Sequence, residues 1–341
     1  MGIREAIDAL VNERRDLTEA EAGATMREIF SGEAAPAQLG GFLIALCLKG
    51  ETVEEIAGMA LAMREHSLHV DVNGPLLDTC GMGGDGRGTF NVSTAAAFVA
   101  AGAGVRVAKH GNRAMTSDCG SADVLEALGA KIDLMPAQVA ECIRQIGFGF
   151  MFAQTFHPAM KHAAATRREI GVRTVFNILG PLTNPAGAQY QLLGVARSEL
   201  SEKMAAALAR LGSRHALVVH GHDGADELSL SGPSTVHEMR DGESREYTVS
   251  PTDVGLQTAP PGAIRGGTPE DNAKTMRSIL ARERGPLRDV VVLNSAAALM
   301  AADAASDLRE GARAAEAAID SGAASKCLED YIELTKSFRQ A

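Results

Sequence analysis

LLDTCGMGGDGRGTFNVSTAAAFVAAGAG, residues 76–104, decides the fold of this 341-residue chain. It begins with apolar residues typical of a buried strand, places five glycines within positions 81–88, and ends in an alanine-rich run typical of a helix. Glycine permits positive φ and lets a ligand approach the backbone closely. The helix is expected to begin near Asn91, Ser93 or Thr94, because these residue types cap helix N-termini. The stretch therefore predicts a strand, a loop and a helix in succession.

The glycine-rich loop predicts a phosphate or pyrophosphate site. Successive backbone N–H groups can form an anion-binding concavity, and the following helix N-terminus favours an anion. From the glycines alone, a turn-rich surface loop explains the pattern equally well. Gly81, Gly83 and Gly86 match the dinucleotide-binding fingerprint only formally, because the helix starts too late and VRVAKHG occupies the place of the expected acid. The Gly-Lys-Ser/Thr of a Walker loop is absent.

Composition narrows the class of protein. The hydrophobic content of 45% is ample for a packed core, and 33 basic against 43 acidic residues give a net charge of −10. This balance argues against a nucleic-acid-binding protein, which normally carries a basic footprint. The five cysteines are scattered without a CxxC pair, so neither a disulfide framework nor a zinc site is expected. A charged, amphipathic N-terminus and no apolar run of transmembrane length lead us to expect a soluble cytoplasmic protein.

Residues 1–72 predict a small helical domain. Apolar side chains recur at helical spacing, and the segments beginning at Thr18 and Thr52 match the capping box that starts helices. Four short helices are expected there. Part of 160–190, a helical stretch followed by a Pro/Gly-rich passage, is expected to cross back to this domain.

Residues 73–341 predict an α/β domain with a mostly parallel central sheet. Apolar runs typical of buried strands occupy 105–111, 147–153, 191–196, 215–221 and 289–294. Alanine-rich runs typical of helices occupy 93–103, 121–129 and 200–211. Such alternation of strands and helices indicates a layered α/β fold. Alternation around Asp241-Gly242 instead predicts a hairpin within 228–250.

A basic cluster follows the second predicted strand, in KHGNRAMTS at 109–117. Lys109, His110 and Arg113 would lie at the carboxyl end of that strand, where open α/β sheets place their ligands. The lysine and arginine would complement a polyanion. A solvated loop is the alternative interpretation of this cluster.

Five segments, taken together, resemble the signature motifs of the anthranilate phosphoribosyltransferase family: GMGGDGRGTFNVST, VAKHGNRAMTS, GSADVLEALG, FNILGPLTNP and GADELS. They occur in that family's order and span most of the chain. The resemblance implies a nucleoside phosphorylase/phosphoribosyltransferase-like fold. It also implies transfer of phosphoribosyl from 5-phosphoribosyl-1-pyrophosphate (PRPP) to the amino group of anthranilate, with release of pyrophosphate, in tryptophan biosynthesis. One departure is Met82, which stands where the family usually has threonine.

The resemblance also implies site residues. Those expected to bind PRPP are Gly81, Gly84, Asp85, Thr89, Asn91, Val92, Ser93, Thr94, Lys109, Ser117 and Ser121. Those expected at anthranilate are Gly81, His110, Asn112, Arg167, Gly180 and Pro181, with His157 a weaker candidate. Those expected to hold Mg²⁺, as two ions with PRPP, are Ser93, Asp226 and Glu227. No general base is identified, and the partners implied are the two substrates and a second copy joined through the helical domain, without nucleic acid or membrane.

Individual residues of this set also fit a purely structural role, and the chain as a whole fits two further functions. An isolated Asp226–Glu227 pair suits an exposed acidic turn, and Arg167 or its neighbour Arg168 suits a helix surface. A pyrimidine-nucleoside phosphorylase has a related fold and a glycine-rich phosphate loop. A non-catalytic, nucleic-acid-binding relative is the second alternative, disfavoured by the net charge of −10.

Overall fold

The computed structural model describes residues 1–114 and 118–338. It opens with four helices: α1 (Ile3–Asp8), α2 (Glu19–Ser31), α3 (Pro36–Lys49) and α4 (Val53–Glu65). A π-helical turn, Ala9–Glu13, continues α1. Thr18 and Thr52 each accept a hydrogen bond from the backbone N–H three residues later, in complete capping boxes. The four predicted helices are therefore present, and their predicted starts at Thr18 and Thr52 are correct.

A seven-stranded sheet forms the centre of the rest of the chain. Its strands are β1 (Leu77–Gly81), β2 (Val107–Gly111), β3 (Phe148–Phe152), β4 (Tyr190–Gly194), β5 (His215–Gly221), β6 (Ser234–Arg240) and β7 (Glu243–Val249). The order is β3-β2-β1-β4-β5-β6-β7, parallel from β3 to β5 and antiparallel beyond. The hairpin is confirmed: Asp241 and Gly242 join β6 to β7 with φ of 49° and 87°, as a two-residue hairpin turn requires.

The remaining helices follow α4 along the chain. They are α5 (Val92–Gly102), α6 (Ser121–Leu128), α7 (Pro136–Ile146), α8 (Ala153–Phe156), α9 (Lys161–Ile170), α10 (Phe176–Leu179), α11 (Ser201–Arg210), α12 (Pro269–Leu280), α13 (Pro286–Ala301), α14 (Leu308–Asp320) and α15 (Ala323–Ser337). The helices predicted at 93–103, 121–129 and 200–211 are confirmed as α5, α6 and α11. The expected fold class, a small helical domain plus an α/β domain with a mostly parallel sheet, is also confirmed.

The strand predicted at 289–294 is wrong. These residues belong to α13, which starts with Pro286 at its first turn and is buried continuously from Val290 to its end. A helix buried on all sides has no polar face, so its apolar run cannot be distinguished from a buried strand by periodicity. Proline at the first helical position was the available signal, since it is favoured there.

The segment between β3 and β4 lies with the helical elements. Helix α9 packs against α2 and α3, and α10 contacts α4. One buried apolar cluster accordingly runs from α1–α4 through Phe176 and Leu179 to the β4 and β5 residues Leu193 and Val218. This packing agrees with the expectation that part of 160–190 crosses back to the helical domain. The domain limits of 1–72 and 73–341 stay a prediction. Among the described residues, no helix is both long and apolar enough to cross a membrane.

The topology places a crevice at the carboxyl ends of β1 and β4. From β1, the chain continues to β2 on one side of the sheet, and only later returns to β4 on the other side. Gly81 and Gly194, the last residues of these two parallel strands, lie side by side in register. Ligands of open α/β sheets bind where the strand order reverses in this way.

Candidate active site

The glycine loop leaves β1 and reaches α5 through a conformation that only glycine adopts easily. Gly83, Gly84, Gly86 and Gly88 have φ of 64°, 78°, 67° and 61°. Left-handed backbone costs other residues roughly 1–2 kcal/mol each. Asn91 is the N-cap of α5, so the predicted helix start is correct, and the glycines give the loop a shape that a side chain would strain.

The second half of the loop is held by a segment that the sequence did not identify. Thr89 forms an antiparallel bridge with Arg265, and the Gly266 N–H donates to the carbonyl of Gly88 at 2.8 Å. The side chain of Asn91 donates to the carbonyl of Cys119 at 3.0 Å and accepts from Asn272 at 2.9 Å. Asn91 therefore fixes the start of α5, a positioning role within the expected PRPP site.

The acidic turn GADELS lies directly on the ends of β1 and β4. The Gly83 N–H donates to Asp226 Oδ2 at 2.7 Å. A Cβ atom at Gly81 would overlap the Asp226 carboxylate, and one at Gly194 would overlap the Asp226 carbonyl oxygen. The two strand-end glycines thus make room for Asp226, and the structure brings the predicted metal acids and the predicted PRPP loop together.

Buried carboxyl groups meet at this junction. Asp226 and Glu227 are each 9% exposed. Burial, followed by the neighbouring Asp85 carboxylate, raises the pKa of Asp226 to about 6. Burial and the adjacent Asp226 raise the pKa of Glu227 well above its usual range, against the opposing effect of Lys109. A bound cation would favour the charged forms of Asp226 and Glu227, which burial disfavours in its absence.

The donor set fits a hard divalent cation. Asp85 Oδ2 is buried and has no hydrogen-bond partner within the described residues, and the junction offers carboxylate oxygens, which Mg²⁺ prefers. In the described parts of the chain, no three His, Cys, Asp or Glu side chains are already close enough to hold a metal. Mg²⁺ commonly completes its shell with water and substrate phosphates, so a partial protein shell is compatible with an ion that arrives with its substrate.

Lys109 places a buried cation beneath the start of α5. The side chain is 1% exposed, and its ammonium donates to the carbonyl of Thr79 and to Ser93 Oγ, the latter at 3.3 Å. Burial raises the pKa of nearby Asp78 to about 6, although Lys109 and a 2.8 Å hydrogen bond from Asn184 favour its charged form. Lys109 is thus the middle residue of β2 rather than a residue at its carboxyl end, and its ammonium lies next to Ser93.

Arg113 does not offer a free charge to a polyanion, in contrast to its predicted role. Its guanidinium pairs with Asp123 and Glu126 of α6, both at 3.0 Å, and lies over the Phe152 ring. Nearby, Ser121 Oγ donates to the carbonyl of Asn112 at 3.2 Å. Ser117 and the rest of 115–117 lie outside the described residues.

Arg167 has the features expected of a carboxylate-binding group. It projects from α9 with its guanidinium 4.9 Å from the Phe176 ring centroid, and burial lowers its pKa. No carboxylate in the described residues forms an ion pair with it. Its neighbour Arg168 is exposed. Arg167 is thus a half-buried cation whose charge is not neutralised by the described part of the protein.

Two neutral histidines lie near the Gly180–Pro181 turn. The rings of His110 and His157 are 5.0 Å apart. Burial lowers the pKa of both imidazoles, that of His157 to about 4. Both ring nitrogens of His157 and Nε2 of His110 lack a hydrogen-bond partner among the described residues. Pro181 is fixed by a 2.7 Å hydrogen bond from Gln191 to its carbonyl.

Several residues that shape the site were missed by sequence reasoning. Arg87, within the glycine loop, pairs with Asp223 at 3.0 Å, and Asp223 also accepts hydrogen bonds from Ser229 and Ser231. This network ties the glycine loop to the acidic turn. A charged residue among glycines was the only signal for Arg87. Asp223 could not be found without the fold, because it lies 136 residues away along the chain.

Two family models match separate parts of the chain. Residues 4–67 match the family model described as glycosyl transferase family, helical bundle domain, and residues 73–325 match glycosyl transferase family, a/b domain. The anthranilate phosphoribosyltransferase of Chloroflexus aggregans is 60% identical over 338 residues, covering 98% of this chain and 99% of that protein.

Solved structures agree in fold over the whole length. The anthranilate phosphoribosyltransferase of Thermus thermophilus is 49% identical, with a TM-score of 0.91 over 98% of this chain and 99% of that one. The Saccharomyces cerevisiae enzyme in complex with PRPP and Mg is 30% identical, with a TM-score of 0.90 over 98% of each chain. The resemblance inferred from the five motifs is confirmed: the chain belongs to the anthranilate phosphoribosyltransferase family.

Proposed function

We propose that the protein transfers the phosphoribosyl group of PRPP to the amino group of anthranilate, giving N-(5-phosphoribosyl)anthranilate and pyrophosphate in tryptophan biosynthesis. The observation that carries this proposal is the meeting of the glycine loop with Asp226 and Glu227 at the carboxyl ends of β1 and β4. A pyrophosphate ester needs open backbone N–H groups and a divalent cation, and this junction supplies a place for both.

PRPP would lie along the glycine loop and the first turn of α5. The loop and helix start offer backbone N–H groups and hydroxyls to the phosphates, and the buried Lys109 contributes a positive charge from below. Asp85 is the candidate for the ribose hydroxyls, because one of its oxygens is buried without a partner in the described residues.

Two Mg²⁺ ions would be held by Asp226, Glu227 and Ser93 together with PRPP. When bound, they would neutralise charge on the departing pyrophosphate. The protein's own part is to hold these oxygens at the ends of β1 and β4, which the Gly83 hydrogen bond and the Arg87–Asp223 network accomplish.

Anthranilate would bind from the side of α9. The guanidinium of Arg167 suits a carboxylate through two parallel hydrogen bonds, and His110, Asn112 and the Gly180–Pro181 turn would enclose the ring. The aromatic amine nitrogen of anthranilate is already unprotonated at neutral pH. Its lone pair attacks the ribose C1 as the C1–oxygen bond to pyrophosphate breaks, and the alkylated nitrogen then releases one proton to solvent or to the departing pyrophosphate. Catalysis therefore depends mainly on positioning and on stabilising the leaving group.

The activity itself tests this proposal. Purified protein with PRPP, MgCl₂ and anthranilate should consume anthranilate fluorescence and release one pyrophosphate for each anthranilate consumed. The pyrimidine-nucleoside phosphorylase alternative predicts instead that thymidine or uridine is cleaved when phosphate is supplied. Phosphorolysis without anthranilate consumption would overturn the proposal.

We also infer a homodimer joined through the helical domain, in the cytoplasm and without nucleic acid. Light scattering should then give twice the 35.6 kDa mass of the chain. A DNA column run at low salt should not retain the protein, whereas the nucleic-acid-binding alternative predicts salt-dependent retention.

A further inference from the structure

Arg173 is an arginine that the expected site does not include. It lies six positions after Arg167, in the short connection between α9 and α10. Three other basic side chains around the glycine loop are already paired or buried: Arg87 pairs with Asp223, Arg113 pairs with α6, and Lys109 is buried. Arg265 lies farther along the loop, beside Gly88. Within the described residues, Arg173 forms no ion pair.

The guanidinium of Arg173 lies directly on the glycine loop. A Cβ atom built on Gly84 would overlap Nη1 of Arg173 and would lie 2.8 Å from its Cζ. Gly84 has a φ of 78°, so both its backbone conformation and this close approach require glycine. The arginine side chain therefore reaches the loop at Gly84, an exposed position.

The peptide group that follows Arg173 is anchored at both its carbonyl and its N–H. The carbonyl of Arg173 accepts a hydrogen bond from Cys47 Sγ of α3 at 3.5 Å. The next residue, Thr174, donates its N–H to Asn177 Oδ1 at 2.9 Å. The guanidinium is thus presented to the loop from an anchored segment that also leads back to Arg167.

We propose that Arg173 binds the pyrophosphate moiety of PRPP and thereby couples the two substrate sites. The inference rests on the function proposed above. An arginine without a carboxylate partner in the described residues, lying on a phosphate-binding loop, has the charge and geometry that phosphate recognition uses. Because Arg167 and Arg173 lie on one connected segment, PRPP that holds Arg173 also fixes the segment that presents Arg167 to anthranilate.

The test compares Arg173→Gln with Arg168→Gln, a matched loss of one exposed arginine from the same region. Calorimetry with PRPP and Mg²⁺ should show a Kd raised roughly 10- to 100-fold in Arg173→Gln, the scale of a lost charge-assisted hydrogen bond. Arg168→Gln should bind within about twofold of the parent, and Arg173→Lys should recover part of the loss because it keeps the charge. An unchanged Kd in Arg173→Gln would overturn the assignment.

Coupling is measured with Mg²⁺–pyrophosphate, which occupies the phosphate site without reacting. In the parent protein, this probe should tighten anthranilate binding, and in Arg173→Gln the tightening should fall toward none. Equal tightening in both proteins would refute the coupling. These outcomes differ from a failure of the proposed function. If the proposed function is wrong, the parent protein is inactive. If only this inference is wrong, the parent is active and Arg173→Gln binds PRPP as tightly as the parent does.

Discussion

The fold holds the carboxyl group of Asp226 in an environment that disfavours its charged form. It is buried beside Asp85 and Glu227, and its pKa is raised to about 6. A carboxyl group with a raised folded pKa contributes stability at low pH that is lost as the pH rises through roughly 4 to 6. Above pH 6, the Mg²⁺-free protein therefore carries a local electrostatic strain that the bound cation would relieve.

Asp226→Asn should accordingly stabilise the Mg²⁺-free protein above pH 6 while weakening Mg²⁺–PRPP binding. The gain in unfolding free energy is at most about 3 kcal/mol, from a shift of about two pKa units, and it should vanish near pH 4. Urea unfolding at several pH values measures it. Asp223→Asn is the control of opposite sign, since Ser and Arg partners lower the pKa of Asp223 and its loss should destabilise the protein. A less stable Asp226→Asn at pH 8 would contradict this account.

Arg167→Gln should raise the KM for anthranilate at least about tenfold, because a charged hydrogen-bond donor to the carboxylate is lost. The KM for PRPP should stay within about twofold. Arg168→Gln, one residue away and exposed, should change neither. Steady-state kinetics on the parent and both variants measure the two KM values. Equal increases in both KM values would show that Arg167 has a structural role instead.

Met82, the departure from the family pattern, lies half-buried against the apolar cluster shared by the helical elements and β4–β5. Its link to the site is through the backbone, since the Met82 N–H donates to the carbonyl of Gly194 at 2.9 Å. Met82→Thr should therefore lower the unfolding free energy by about 1 kcal/mol, as apolar contact is lost, with the KM for PRPP changed less than threefold. A tenfold change in that KM would show that the Met82 side chain acts on substrate.

At the scale of elements, the sequence predicted correctly those features that depend only on neighbouring residues. The capping boxes at Thr18 and Thr52, the Asp241-Gly242 turn and the β1–loop–α5 unit all depend on neighbouring residues, and each was predicted correctly. Helix α13 was not, because burial on every side removes the polar face that distinguishes a helix from a strand. The contact between α2 and α4 was also invisible, since it depends on Gly58 lying against the backbone of Glu19.

Gly58→Ala tests that helix contact. The added Cβ would overlap the Glu19 carbonyl group, which is backbone and cannot move aside alone. We expect a loss of about 1–3 kcal/mol in unfolding free energy, the usual range for overpacking. Gly41→Ala in α3, where the nearest atom would lie 3.8 Å away, should be neutral or stabilising. Denaturant unfolding of both variants measures the difference, and matching stabilities would mean that α2 and α4 do not pack this closely.

At the scale of the molecule, chain order and spatial order differ, and this limits what sequence reasoning could establish. Asp226 reaches the glycine loop only because β4 and β5 are added beside β1. The motif resemblance implied the pairing of Asp226 with the loop, but composition and periodicity alone could not. Arg173, Asp223 and Asn272 belong to no recognised motif, and their contacts come from segments distant in sequence, so only the folded chain revealed them.

We propose that PRPP and its divalent cation bind where the glycine loop meets Asp226 and Glu227. A crystal grown with PRPP and Mn²⁺ in place of Mg²⁺, with anomalous data collected near the manganese edge, locates the metal directly. We predict an anomalous peak within roughly 2.0–2.3 Å of an Asp226 or Glu227 carboxylate oxygen, with pyrophosphate against residues 81–94. A manganese peak and PRPP away from this junction, with both carboxylates free of metal, would contradict the account.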